Sequence, residues 1–141
     1  MPSRDHSAPT WRSFPARWHW CWRAALSTLG RVALAGFSDG ATYALGLGLA
    51  NGDRFTHLLA FSPGFLIPAR AAGTPSVYVS HGLADPILPI DSCSRKIVPA
   101  LRRKGYPVRY REFEGRHEVP PAIVQEGLAW FLGPPGGPDP A

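Results

Sequence analysis

The pentapeptide Gly-Phe-Ser-Asp-Gly at residues 36–40 constrains the fold of this chain more than any other feature. It follows a short apolar run at residues 31–35, which is typical of a buried parallel strand. Residues 41–50 then carry the alanines and leucines of a helix packed on a sheet. Glycines on both sides of Ser38 permit a sharp strand-to-helix turn that holds the hydroxyl up in a strained backbone. The sequence therefore predicts a strand–turn–helix unit with Ser38 at its turn.

Two later strands are each followed by a residue that a reactive serine needs. A serine hydroxyl is a poor nucleophile at neutral pH, so it requires a base, and the base requires an orienting acid. Residues 76–80 read as a strand with Asp85 on the loop after it, and residues 108–113 read as a more exposed strand followed by His117. Because sites in open α/β sheets form at the carboxyl ends of the strands, we expect Ser38, Asp85 and His117 to meet.

At this point the chain resembles the phospholipase/carboxylesterase branch of the α/β-hydrolases, which includes acyl-protein thioesterase-like enzymes. The similar segments are residues 36–40, 60–65, 80–82 with Asp85 and Pro89, and 115–120. The resemblance covers about residues 31–132. It implies Ser38 as nucleophile, Asp85 as orienting acid and His117 as base. It also implies hydrolysis of carboxylic esters or thioesters without a cofactor.

The alternation of strand and helix patterns predicts one α/β domain over residues 31–132. The expected architecture is a partial α/β-hydrolase fold with about four mostly parallel strands and flanking helices. The remaining expected elements are a strand at 56–61, a helix capped by Asp91 that Gly105 ends, and a final helix after Pro121. The proline- and glycine-rich residues 133–141 are expected to form a disordered tail.

The sequence departs from the family pattern before the serine. A complete α/β-hydrolase carries several strands there, and one of their loops gives a backbone N–H to the oxyanion hole. Only 37 residues precede Ser38, without a His-Gly-Gly-like loop, so the backbone N–H of Asp39 is the one expected donor. Losing a donor costs about 10²–10³ in turnover. The missing strands would also leave an apolar sheet edge unpaired, which makes that edge a candidate homodimer surface.

Residues 1–30 are expected to form an irregular leader, with a short helix over residues 22–29. Four of the five tryptophans lie in it, interleaved with arginines. Packing against the open sheet edge, a start-site or reading-frame artefact and an organellar transit peptide stay open as readings. A nucleic-acid patch is disfavoured because aromatic and basic residues without a recognisable module are weak support. The leader has no uninterrupted apolar segment, so neither a secretory signal nor a membrane span is predicted.

Composition fits a single globular domain of 141 residues with 45% hydrophobic content. Much of the net charge of +5 lies in the leader and in five basic residues whose positions on a helix end and an exposed strand favour a solvated face: Arg102, Arg103, Lys104, Arg109 and Arg111. An anionic substrate or surface stays open, and no nucleic-acid partner is expected. Cys21 and Cys93 have neither metal-ligand spacing nor a disulfide framework, which favours a cytoplasmic location. His117-Glu118 begins like a zinc-protease motif, but Pro121 stands at the position of the second histidine, so no metal site is predicted.

Two function hypotheses follow. The first is a serine hydrolase of the carboxylesterase, phospholipase or thioesterase type that acts on a small ester or thioester, with no cofactor. By analogy of position, the acyl side of its cleft would be lined by Pro63, Phe65, Ile87 and Leu88. The second is a truncated, non-catalytic remnant that acts as a binding or interaction domain. His81 is expected to have a structural role at the end of its strand.

Overall fold

The computed structural model describes residues 25–28, 30–68 and 70–134. Strands and helices alternate along most of this length, as the sequence predicts. In chain order the elements are β1 (Ala25–Thr28), β2 (Arg31–Phe37), α1 (Asp39–Ala50), β3 (His57–Phe61), β4 (Ser76–Gly82), α2 (Ser94–Arg103), β5 (Val108–Phe113) and α3 (Pro121–Leu132).

The described strands form one sheet in the order β1-β2-β3-β4-β5. Strands β2 to β5 pair in parallel, and β1 pairs antiparallel with β2. The predicted partial α/β-hydrolase fold, with four parallel strands and flanking helices, is therefore confirmed. Parallel pairing brings the carboxyl ends of β2, β4 and β5 to the same edge of the sheet, which is the edge expected to hold the site.

Strand β1 lies where the sequence predicted a short helix in an irregular leader. Its residue Ala25 pairs with Leu34 and Thr28 pairs with Arg31. The connection passes through Gly30, whose φ of 78° suits glycine. The helix prediction was wrong over residues 25–28, because pairing with β2 overrides a weak local pattern. This strand also covers the edge of β2 that was expected to be open, while residues 1–24 lie outside the described part of the chain.

The two faces of the sheet each pack against helices. Alternate residues of β3 belong to different clusters, because side chains of a strand point to opposite faces. Leu58 and Ala60 lie in a cluster with residues of α1 and α2. Leu59 and Phe61 lie in a second cluster with residues of α3. The domain thus has three layers, and the loops at the strand ends remain available for a site.

Helix α2 begins three residues later than its predicted cap. Its first residue is Ser94 and its N-cap is Cys93, so the prediction that Asp91 caps this helix was wrong. Asp91 instead accepts a 2.7 Å hydrogen bond from Arg95, one turn further along the chain. Gly105 follows the helix with a φ of 90° and ends it as predicted.

Arg31 at the start of β2 binds the end of α3. Its Nη1 atom donates to the carbonyl oxygens of Phe131 at 3.0 Å and Gly133 at 2.6 Å. A guanidinium at a helix carboxyl end satisfies free carbonyls and complements the helix dipole. The nearby ring of His57 makes edge contacts with Trp130 and Phe131, at centroid distances of 5.2 Å and 5.1 Å. These contacts fasten α3 at the end of the sheet opposite to Ser38. The predicted disordered tail lies outside the described residues from position 135 onward.

This arrangement predicts a stability change with pH. Burial, and then the positive charge of Arg31, lower the pKa of His57 below its ordinary value of 6.5. The folded state therefore favours neutral His57, whereas the unfolded chain binds a proton near pH 6.5. Neutral His57 therefore contributes to the free energy of unfolding fully above pH 6.5. This contribution is lost as the pH falls from 6.5 through the lowered pKa. We expect the denaturation midpoint to fall more steeply below pH 6.5 in the native chain than in His57→Asn. Equal slopes, measured by guanidinium unfolding on both sides of pH 6.5, would contradict this.

Candidate active site

Ser38 occupies the turn between β2 and α1 in a backbone conformation that non-glycine residues rarely adopt. Its φ is 60° and its ψ is −121°. The turn is held on both sides, because the Ser38 N–H donates to the Phe61 carbonyl at 2.9 Å. The Ser38 carbonyl in turn accepts from the N–H groups of Ala41 and Thr42, at 3.0 Å and 3.1 Å. The strained strand–turn–helix unit expected from the sequence is therefore present.

Gly36 allows the strand and the helix to meet this closely. A Cβ atom on Gly36 would overlap the backbone carbonyl of Gly40 and would lie 2.8 Å from the amide nitrogen of Ala41. Real Cβ atoms do not approach backbone atoms this closely. The first glycine of the pentapeptide is thus required by contact, not by a positive φ.

The structure brings together Ser38, Asp85 and His117, the three residues that the sequence predicts to meet. Ser38 Oγ lies 2.8 Å from His117 Nε2, and His117 Nδ1 lies 2.7 Å from Asp85 Oδ2. An ionised carboxylate can only accept hydrogen bonds, so Nδ1 carries the proton that it donates to Asp85. In the neutral ring Nε2 is then an acceptor, and the Ser38 hydroxyl donates to it. These groups can move a proton from the serine to the imidazole.

Asp85 is a buried carboxylate whose two oxygens both have partners. Its Oδ1 atom accepts from the N–H groups of Ile87 at 2.9 Å and Leu88 at 2.8 Å, and Oδ2 accepts from His117. Burial alone would raise the pKa of Asp85. The hydrogen bonds from the Leu88 N–H, His117 and the Ile87 N–H outweigh burial and lower the pKa below its ordinary value. Asp85 is therefore ionised at neutral pH and keeps the imidazole proton on Nδ1.

Phe37 packs against the imidazole of His117. The two ring centroids are 4.8 Å apart, with the planes tilted by 35°. The Phe37 ring is partly exposed, so it covers one side of His117 at the mouth of the site. Phe37 has no role in the site that the sequence predicts. The sequence did offer one indication of this contact. Phe37 directly precedes Ser38, so its side chain lies close to the base that binds the serine.

Asp39 directly follows the serine and is the first residue of α1. The first N–H groups of a helix have no intrahelical acceptor, so the Asp39 N–H, directly after Ser38, has no acceptor within α1. A backbone N–H at this position is suited to an oxyanion, and the helix amino terminus adds a favourable dipole. The carboxylate side chain of Asp39 is exposed.

The four residues expected on the acyl side differ in exposure. Phe65 and Ile87 are 62% and 65% exposed, whereas Leu88 is partly exposed and Pro63 is fully buried. Phe65 and Ile87 are thus the large apolar side chains of this set that a ligand can reach. The Pro63 ring is held inside because the next residue, Gly64, donates its N–H to Thr42 Oγ1 at 2.9 Å and so fastens the loop to α1.

Within residues 25–28, 30–68 and 70–134, no group of three or more histidine, cysteine, aspartate or glutamate side chains could hold a metal ion. None of the helices in this part of the chain is long and apolar enough to cross a membrane. Cys93 is buried and has a free thiol.

Solved structures of several esterases are similar to this chain. For the esterase PE8, the TM-score is 0.64 at 29% identity, covering 70% of this chain and 47% of that one. For the Bacillus cereus carboxylesterase, the TM-score is 0.61 at 18% identity, covering 74% and 50%. For Zea mays acyl-protein thioesterase 2, it is 0.61 at 20% identity, covering 71% and 54%. No protein-family model matches the sequence, and no curated protein matches it either.

These similarities identify the fold. The chain spans about half the length of the similar structures. It corresponds to the carboxyl-terminal part of an α/β-hydrolase, as the sequence resemblance implied.

The contact between Gly36 and Gly40 generates a prediction about the turn. We expect Gly36→Ala to lower the free energy of unfolding by about 1–3 kcal/mol or more, because its Cβ meets rigid backbone. Gly46→Ala in α1 is the matched control. There the new Cβ would lie 3.0 Å from the Cδ1 atom and 3.2 Å from the Cβ atom of Ile67, so it meets a side chain and no backbone atom, and alanine favours the helix. We expect Gly46→Ala to lose less stability than Gly36→Ala. Urea unfolding of both variants measures the difference. Equal stability of Gly36→Ala and the native chain would contradict the overlap.

Proposed function

Because the chain has the carboxyl-terminal part of an α/β-hydrolase fold, we propose that it is a serine hydrolase. It cleaves carboxylic esters or thioesters through an acyl-enzyme on Ser38. The observation that carries this proposal is the continuous hydrogen-bond chain from Ser38 through His117 to Asp85, with distances of 2.8 Å and 2.7 Å. Both distances fall in the range needed for proton transfer between a nucleophile and its base.

In the first half of the reaction, Ser38 Oγ attacks the carbonyl carbon of the ester or thioester. His117 Nε2 takes the serine proton as the Oγ–carbon bond forms. The resulting imidazolium is stabilised by the carboxylate of Asp85, which does not itself take the proton. When the tetrahedral intermediate collapses, the bond to the leaving oxygen or sulfur breaks. His117 then gives its proton to the leaving group, and the acyl group remains on Ser38.

In the second half, water replaces the leaving group. His117 Nε2 takes a proton from the water as its oxygen attacks the acyl carbon. Collapse of the second tetrahedral intermediate breaks the bond to Ser38 Oγ, which recovers its proton from the imidazolium. The products are a carboxylic acid and the free enzyme, so no cofactor or metal ion enters the balance.

The negative oxygen of each intermediate needs donors near Ser38. The Asp39 N–H at the start of α1 is the proposed donor, for the position and dipole reasons given above. The side chains of Phe65 and Ile87 are proposed to contact the acyl portion of the substrate, because they are exposed apolar groups on the loops that follow β3 and β4, and apolar groups favour apolar ligands. Leu88 would contribute from the same loop as Ile87.

The chemistry of the site and the structures similar to this chain favour the same substrate class. A serine–histidine pair transfers acyl groups from oxygen or sulfur leaving groups. The similar structures are described as esterases, a carboxylesterase and an acyl-protein thioesterase, which supports an ester or thioester here. A phospholipid ester falls in the same class. Action in the cytoplasm is part of the proposal, since neither cysteine has the spacing of a disulfide framework.

A fluorophosphonate probe tests the proposal directly. We expect covalent labelling of the native chain and none of Ser38→Ala, because phosphonylation requires an activated serine. Asp85→Asn should slow labelling by about 10³–10⁴-fold, because the amide favours the wrong imidazole tautomer. The measurement is the labelling rate by intact-protein mass spectrometry.

Ser62→Ala is the matched control for this experiment. Ser62 also has a positive φ, 55°, and lies just after the neighbouring strand β3, but its hydroxyl is buried without a hydrogen-bond partner among the described residues. Labelling of Ser62→Ala should equal that of the native chain. A soluble, folded protein that does not label at Ser38 would contradict the hydrolase proposal and favour the non-catalytic remnant.

A further inference from the structure

The His81 imidazole is a buried titratable group that the proposed mechanism does not use. It lies near the carboxyl end of β4 and is fully buried. Its Nδ1 atom is 2.6 Å from Ser94 Oγ, and its Nε2 atom is 2.7 Å from the Leu88 carbonyl oxygen. The same Nε2 atom lies 3.3 Å from Asp85 Oδ2. His81 thus contacts the loop that carries the carboxylate.

The partners of His81 fix which of its ring nitrogens carries a proton. A backbone carbonyl can only accept, so Nε2 must donate to Leu88. In the neutral ring Nδ1 then accepts, and the Ser94 hydroxyl donates to it. Ser94 is buried at the first position of α2, so the ring is anchored to a helix on one side and holds a loop on the other.

Leu88 connects His81 to the carboxylate. Its N–H donates to Asp85 Oδ1 at 2.8 Å, while its carbonyl accepts from His81 Nε2. The backbone of Leu88 is therefore held through both its N–H and its carbonyl group. The neighbouring Ile87 side chain is largely exposed and gives the loop little packing of its own. Without the bond to His81, the Leu88 N–H would no longer be fixed opposite Oδ1, and the carboxylate could rotate.

Asp85 Oδ2 lies between two imidazole rings. His117 Nδ1 donates to it at 2.7 Å, and the Nε2 atom of His81 lies 3.3 Å from the same oxygen. The second N–H places a partial positive charge beside the carboxylate and restricts its rotation further. A rotation that lengthens the bond to His117 would also remove the group that holds the His117 proton on Nδ1.

We propose that His81 is a positioning residue for the acid of this site. It acts through the Leu88 backbone to hold Asp85 against His117 and thereby keeps His117 in the tautomer that can accept the Ser38 proton. This inference rests on the proposed hydrolase function for its effect on rate. Its effect on the His117 tautomer does not depend on any substrate.

Two substitutions test the two hydrogen bonds of the His81 ring separately. In His81→Gln the side-chain amide reaches the place of Nε2 and can donate to Leu88, but it loses the bond to Ser94. In His81→Asn the amide reaches only the place of Nδ1, so it keeps Ser94 and loses Leu88. If the bond to Leu88 positions Asp85, His81→Gln should retain function and His81→Asn should lose it.

Hydrolysis of a p-nitrophenyl ester gives the first readout. We expect His81→Asn to lower kcat by about ten- to a hundredfold with little change in KM, because misplacement acts on the reacting groups. His81→Gln should lose less than about tenfold, the equivalent of one hydrogen bond. His57→Asn, the same change at the opposite end of the sheet, should leave kcat unchanged.

The second readout is ¹⁵N NMR of the His117 ring at about pH 9, well above the ordinary histidine pKa. The signals are assigned by their loss in His117→Gln. The native chain and His81→Gln should show a single tautomer with the proton on Nδ1, and His81→Asn should show a mixture. A merely structural role would not change this tautomer in a folded variant.

Each outcome decides the inference. The inference is overturned if His81→Asn keeps the native kcat and the native His117 tautomer. It is also overturned if His81→Asn and His81→Gln lose kcat equally while both keep the native tautomer. If the native chain hydrolyses no ester, the proposed function fails while the NMR comparison still tests the positioning role. If His81→Asn does not fold, His81→Leu replaces it, because leucine has a similar volume but cannot donate to the Leu88 carbonyl. A tautomer mixture of His117 in His81→Leu supports the role, and a native spectrum overturns it.

Discussion

Parallel pairing of β2 to β5 is the constraint on which the rest of this structure depends. Because these strands run in the same direction, the residues that follow β2, β4 and β5 emerge at one edge of the sheet. Ser38 and His117 are 79 positions apart in the chain, yet their side chains lie within 2.8 Å.

The turn at Ser38 holds strain that the surrounding structure must overcome. A non-glycine residue in a sparsely populated region costs of order 1–3 kcal/mol. Here the cost is offset by hydrogen bonds on both sides of Ser38 and by the close approach that Gly36 permits. The strain has a chemical consequence, because it holds the hydroxyl above the start of α1, within reach of His117 and beside the Asp39 N–H.

The sequence predicted those parts of the structure that local patterns determine. Ser38, Asp85 and His117 each follow a recognisable strand, so their meeting at one edge was predictable. Strand β1 was not, because its residues have a weak local pattern and become a strand through pairing with β2. The contact of Asp91 was not either, because residue type alone does not decide whether its carboxylate caps the helix or binds Arg95 one turn further along. The burial of Pro63 and the contacts of His81 also escaped sequence reasoning. They depend on how the loops after β3 and β4 fold back onto the helices, and side-chain types alone do not specify that path.

All three side chains of the hydrogen-bond chain lie between residues 36 and 118, so the half of the hydrolase fold that this chain spans is the half that contains them. The oxyanion donors of a complete hydrolase, in contrast, do not all come from this half of the fold. The Asp39 N–H is the donor proposed for this chain, whereas complete hydrolases take another from a loop before the nucleophile strand. Proton transfer and charge stabilisation therefore make separate demands on this chain. Turnover measures charge stabilisation more sensitively than the geometry of the site does. One missing donor lowers turnover by about 10²–10³ while leaving the positions of the serine, histidine and aspartate side chains unchanged.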